Sequence, residues 1–246
     1  TQTASMPIKA ILMGVTVALV WGMGIIFAKA AIAHFPPILL MTLRFTLTAL
    51  TLVWFVKPPL QHLPILTLIA FVSAAVQYSL TFTGLKGLDA SVAAIIVQLE
   101  VPFLTILGVL ALGEVAGLRK WAGIAIAFAG VALIAGEPKT ASALPSILLV
   151  VGGGFTWAVG QIMIRKLENI DGLTLTAWVS VLAAPQLLVM SLIFETNHVE
   201  AIRTAAPIVW AAVAYLGLIM TAFGYWLWYM LVRAYPVSQV APYLLL

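Results

Sequence analysis

Two ionisable side chains, Arg44 and Glu100, lie within long apolar stretches of the sequence. A charge in hydrocarbon is costly, so an ionisable group there marks a site by default. Arg44 presents a planar fork of donors that can hold a carboxylate through two parallel bonds. It can equally snorkel to an interface or brace a helix end. Glu100 stands two residues before Pro102. A carboxyl held away from water can exchange a proton in the physiological range and so couple proton movement to another process. The alternative is structural: the proline frees backbone groups that Glu100 can cap, or the carboxyl pairs with another helix.

Around these charges the sequence sets aromatic and amide groups. Trp21, Tyr78, Trp157, Tyr225 and Trp228 fall well inside apolar stretches. Rings so placed can wall a cavity and bind apolar or aromatic groups by burial and offset stacking, or a cation over their faces. Trp54, Trp121 and Trp210 fall near stretch ends, where a belt at the membrane interface accounts for them. Gln77, Gln98, Gln161 and Ser91 can bond the amino and carboxyl groups of a zwitterion, or can bond between helices. His34, His62 and His198 lie in or beside loops with no ligand spacing, so neither a zinc helix nor an intramembrane hydrolase is expected. No metal or other cofactor is expected. A channel built from rings of charge is disfavoured by the repeat described below.

The elements that must position these groups are membrane helices. The chain is 63% hydrophobic and 8% charged, against about 25% charged in soluble domains. Too few charges are present to cover a water-soluble globule. The twelve Lys and Arg are scattered singly, which argues against nucleic acid and for topology signals. Cysteine is absent, excluding disulfides and thiolate sites. No cleavable leader is read from the polar start. At about 20 residues per crossing, the sequence predicts spans 8–33, 38–56, 64–85, 90–112, 118–136, 144–164, 173–194 and 207–232, with a ninth beginning near Val237. Glycine and proline punctuate the breaks, as at Phe35-Pro36-Pro37, Lys57-Pro58-Pro59 and Gly136-Glu137-Pro138. Pro102 and Pro185, within spans, are expected to kink them. With the N-terminus cytoplasmic, the inner segments hold seven basic residues and the outer ones four, namely Lys29, Lys86, Lys139 and Arg203.

An internal repeat is also present. Trp21-x-x-Gly24-x-x-Phe27-x-Lys29 matches Trp157-x-x-Gly160-x-x-Met163-x-Arg165 at an offset of 136 residues. Tyr78, Lys86 and Ser91 match Tyr225, Arg233 and Ser238 at an offset of 147. The halves are 8–136 and 144–246. Five spans in the first half put the second in the membrane with opposite polarity, the inverted repeat of many secondary transporters. Extending the offset predicts a tenth span after Leu246.

Lys86-Gly87-Leu88-Asp89-Ala90-Ser91, Glu100-Val101-Pro102, Leu112-Gly113-Glu114 and Trp121-Ala122-Gly123, with Trp21-Gly22 and Arg44-Phe45, resemble the EamA-type repeat of the drug/metabolite transporter superfamily. Within it the chain is most similar to bacterial exporters of aromatic amino acids of the YddG type. The resemblance implies ten helices in two inverted halves, a central cavity and alternating access, in a multi-pass protein of the inner membrane. One departure is Ala234-Tyr235-Pro236 where the first half has Gly87-Leu88-Asp89. The expected substrate is a small neutral metabolite, foremost an amino acid with an aromatic or other apolar side chain. A multidrug exporter of the same superfamily is the alternative. The lipid bilayer and the substrate are the expected partners, and a monomer is favoured.

Overall fold

The computed structural model describes residues 7–136 and 143–245. Lys139 and the Glu137-Pro138 break lie outside them. Among the described residues, eight helices are long and apolar enough to cross a membrane. They are α1 (Ile8–Ile32), α2 (Pro37–Phe55), α3 (Leu60–Lys86), α4 (Ala90–Leu112), α5 (Leu118–Gly136), α6 (Leu144–Arg165), α7 (Gly172–Phe194) and α9 (Pro207–Ala234). A short helix, α8 (His198–Thr204), precedes α9, and α10 (Val237–Val240) continues as a tight turn, Ala241–Leu245. The third crossing begins at Leu60, four residues before the expected Pro64, because a single 3-10 turn (Leu60–His62) leads into it.

Local chemistry fixes the helix ends. Prolines with preset φ stand in the first turns of α2, α6 and α9. Gly113 closes α4 with φ 67°, a left-handed conformation that glycine adopts without steric cost. Asp171 caps α7, its carboxylate accepting from the N–H groups of Leu173 and Thr174 at 2.9 Å each. Burial opposes its ionised form, but the Thr174 hydroxyl and these amides outweigh burial and hold its pKa below the ordinary aspartate value. Two further caps come from far along the chain. Glu195 accepts from Ile38 N–H (2.7 Å) and Leu39 N–H (2.8 Å) at the start of α2. Glu114 accepts from Val237 and Ser238 N–H, both at 2.9 Å, at the start of α10. Carboxylates so placed satisfy the orphan amides and complement the helix dipole.

The outer surface of the bundle is apolar. Leu12, Leu19, Ile26, Leu110, Ile126, Leu133 and Ile193 are exposed, as a surface facing lipid requires. On α5 only Val131 is buried, so that helix is peripheral. α6 packs against both α3 and α4, and α2 runs along α7. α9 contacts α1 and α2. Trp54 is 80% exposed, as an interfacial ring should be.

Three helices depart from regularity. α4 breaks at Gln98–Leu99, just ahead of Pro102, whose ring displaces the backbone one turn earlier. α7 runs through Pro185 without a break in the helix. α3 and α9 contain π-helical segments, Phe71–Val76 and Tyr215–Tyr225. The second includes the positions 147 residues after the first. Such wide turns displace the ladder and are frequent at functional sites.

Candidate substrate cavity

The π-helical turns and the break in α4 surround the aromatic centre. Tyr78 on α3 and Tyr225 on α9, 147 residues apart, meet hydroxyl to hydroxyl at 2.6 Å. Trp157 on α6 donates its indole N–H to the Tyr225 hydroxyl at 3.3 Å. Trp21 on α1 stands edge-on to Trp157, ring centres 6.2 Å apart, and lies 4.7 Å from Tyr225. Its N–H donates to the Met220 carbonyl at 3.2 Å, inside the π-helical stretch of α9. Each such ring pair contributes about 0.5–1.5 kcal/mol beyond simple burial, so the cluster forms a stiff joint between α1, α3, α6 and α9.

Above this joint lies a cavity of about 90 Å³. Its floor is Trp21, Trp157, Tyr78 and Tyr225; its walls include Gly24, Ala28, Gln77, Thr81, Phe82, Leu85, Val97, Glu100 and Met220. Two lining residues, Ala28 and Leu85, adjoin the ends of α1 and α3, where Lys29 donates to the carbonyls of Leu85 (2.8 Å) and Leu88 (2.5 Å). Val97 and Glu100 straddle the break in α4, so that break presents the carboxyl to the cavity. Glu100 also packs against Gly154 of α6.

Equivalent positions make equivalent contacts. Gly24 packs on Met220, and Gly160 on Ser73. A Cβ on Gly160 would collide with the Ser73 Cβ and backbone, so that approach depends on glycine, whereas at Gly24 it would meet the flexible end of Met220. Lys29 bonds the carbonyl end of α3, and Arg165 the carbonyl end of α9 through Arg233 O at 2.6 Å. The equivalence fails at one place. Trp228 stands 147 residues after Thr81. Thr81 leaves its side of the joint open, whereas Trp228 fills the other side completely. Its ring stacks on Trp157 at 5.7 Å, and its N–H donates to Gln161 Oε1 at 2.8 Å.

Of the residues singled out from the sequence, Trp21, Gln77, Tyr78, Glu100, Trp157 and Tyr225 line this cavity. Trp228 and Gln161 lie behind it, buried. Gln98 and Pro102 face a separate groove of about 470 Å³ along α4 and α5. Arg44 is fully buried but does not line the cavity. Its Nε donates to Thr221 Oγ1 (2.5 Å) and a terminal nitrogen to the Tyr78 hydroxyl (3.3 Å), and its guanidinium lies 4.8 Å from the Tyr78 ring centre. Arg44 therefore braces α2 to α3 and α9. Ser91 is exposed at the start of α4. Sequence reasoning missed Thr81, Val97 and Met220, although Met220 was within reach: it stands 147 residues after Ser73, just as Gly160 follows Gly24 by 136.

Comparison with known proteins agrees with this architecture. The family profile described as EamA-like transporter family matches residues 8–136 and again 144–246. A protein of Salmonella typhimurium named "Probable amino-acid metabolite efflux pump" is 28% identical, over 94% of this chain and 80% of its own length. A protein of Archaeoglobus fulgidus named "Uncharacterized transporter" is 30% identical, over 93% of this chain and 81% of its own. A crystal structure superimposes with TM-score 0.71 at 18% identity, over 96% of this chain and 83% of that one, which shows a shared fold. Eight apolar crossings among the described residues, a small aromatic cavity between five of them, and one transporter profile matched twice along the sequence make this chain a multi-pass membrane protein of the EamA-like transporter family.

Proposed function

We propose that this transporter exports small neutral metabolites, foremost amino acids, by alternating access between two five-helix repeats of opposite polarity, residues 8–136 and 144–246. The observation that carries this is the joint: equivalent residues Tyr78 and Tyr225 touch at 2.6 Å, and equivalent Trp21 and Trp157 cross edge to face beside them. Equivalent residues that meet in pairs define a pseudo-twofold axis, and a site on that axis can open to either face. Successive crossings from α1 to α6 place the ends bearing Lys29 and Arg165 on opposite faces, which supports the inversion. With a cytoplasmic N-terminus in the inner membrane, the cavity lies on the outer side of the joint. The name of the Salmonella relative supports amino-acid efflux. A cavity of about 90 Å³ is far below the ~300–1,000 Å³ of drug-sized sites, which favours compact substrates over large drugs or aromatic ones in this state.

The test is transport of radiolabelled amino acids in proteoliposomes, with Trp21→Ala and Trp157→Ala beside the parent. Selectivity should broaden toward larger side chains in both variants. If no amino acid crosses, the substrate assignment fails. Because the chain has no cysteine, Lys86→Cys and Lys166→Cys can be labelled separately with an impermeant maleimide. Labelling of both from the same side would remove the inversion.

A further inference from the structure

We infer that the cavity is built to take a primary ammonium group, held between the Gln77 amide oxygen and the Glu100 carboxylate. This rests on the cavity's being the transport site and narrows what enters it. Gln77 is 3% exposed and lines the cavity. Its nitrogen donates to Thr81 Oγ1 at 3.1 Å, while its oxygen has no partner among the described residues. A buried acceptor left without a donor is a standing deficit that a ligand N–H can remove. Glu100 lines the same cavity from α4 and makes no hydrogen bond or ion pair among the described residues. Two acceptors, one of them able to carry negative charge, therefore face one small space.

The N–H and cationic donors nearby are committed; only hydroxyl protons, that of Thr81 and that of one of the two tyrosines, are not. Trp21 N–H serves Met220 O, Trp157 N–H serves Tyr225, and the Tyr78 and Tyr225 hydroxyls bond each other. Lys29 is held by two carbonyls, and Arg44 by Thr221 and Tyr78 outside the cavity. Nothing free in the lining offers a positive charge to a carboxylate. An ammonium brings three donors and no acceptor, matching what is missing, and the π faces of Trp21, Trp157 and Tyr78 favour a cation beside them. Recognition at this site is of the amino end. The carboxylate of an amino acid is not required.

The test uses matched pairs on the whole chain in detergent, read by fluorescence of the cavity tryptophans. Isobutylamine and propylamine are titrated against isovalerate and butyrate, which keep the carbon skeleton and replace the ammonium by a carboxylate. The amines should produce saturable quenching, and the acids none at the same concentrations. Gln77→Met keeps length and removes the acceptor; it and Glu100→Gln should each weaken amine binding at least tenfold. Tighter binding of the acids would mean that the Gln77 amide presents its nitrogen instead, and would overturn the inference, as would equal amine binding by parent and both variants. If either variant fails to fold, the ligand pairs on the parent still decide. The two readings fail separately: amino acids that cross proteoliposomes with no competition from amines sink the ammonium site alone, and amines that bind while no amino acid crosses sink the transport reading alone.

Discussion

Replacing Trp228 by threonine, the residue at the equivalent position Thr81, should open the closed side of the joint. Trp228 is fully buried and holds that side through two ring contacts, 5.7 Å to Trp157 and 5.6 Å to Trp21, and one hydrogen bond of 2.8 Å to Gln161. Two ring pairs at about 0.5–1.5 kcal/mol each and one hydrogen bond at about 0.5–1.5 kcal/mol give roughly 1.5–4.5 kcal/mol favouring the closed arrangement. At about 1.4 kcal/mol per decade, losing them shifts the balance of the two faces by roughly tenfold to a thousandfold. The assay exploits the absence of cysteine. Ala28 lines the cavity but is itself buried, and Ile164, 136 residues later, is fully buried and does not line it. In the parent, Ile164→Cys should not react with an impermeant maleimide. In the Trp228→Thr background, Ile164→Cys should gain reactivity from the face bearing Arg165 by at least tenfold. An unchanged Ile164→Cys rate in a folded Trp228→Thr protein would refute the assignment of Trp228 as the plug.

Two further outcomes follow from the same geometry. Tyr78→Phe and Tyr225→Phe each strand a buried hydroxyl and remove an acceptor from Arg44 or Trp157, so each should cost about 1–3 kcal/mol; the double variant should cost less than the sum of the two by at least 0.5 kcal/mol, measured by thermal unfolding in detergent, and strict additivity would disconnect the pair. Arg44→Met should lower the unfolding temperature, while Arg44→Lys retains the charge but loses the fork to Thr221 and Tyr78; surviving transport by Arg44→Lys should keep the parent's substrate selectivity, and altered selectivity would return Arg44 to the site.

The crossings were legible because a run of about 20 apolar residues has few alternatives to spanning lipid. The repeat was legible because Trp21, Tyr78 and their matches are rare residues at fixed offsets. What faces what was not. Every helix here is apolar on nearly all sides, so the periodicity that marks a buried stripe in a soluble protein is faint. Arg44 and Gln98 looked like site residues for the same reason as Glu100, being polar at depth. Only three dimensions show Arg44 spent on Thr221 and Tyr78, and Gln98 turned to another groove. The caps from Glu114 and Glu195 join elements more than a hundred residues apart, and no local pattern announces such a pair. The π-helical turns have no composition signal either, yet they aim the Met220 carbonyl and Thr221 at Trp21 and Arg44.

A symmetric pair of halves explains how one site can serve two faces, but perfect symmetry would give it no preference between them. The positions that stay alike, Trp21 with Trp157 and Tyr78 with Tyr225, form the joint. The positions that differ lie immediately beside it. Thr81 is matched by Trp228, which makes one side open and the other plugged, and Gln77 is matched by Gly224, which removes the amide from the plugged side. Gly224 in turn lets the Trp21 indole approach α9 closely enough to bond Met220 O. Under the two-repeat reading, the two proposed acceptors, Gln77 and Glu100, lie in the first half and the proposed obstruction, Trp228, in the second. Exchanging Gln77 or Thr81 should therefore change what is carried, and exchanging Trp228 should change how readily the site turns.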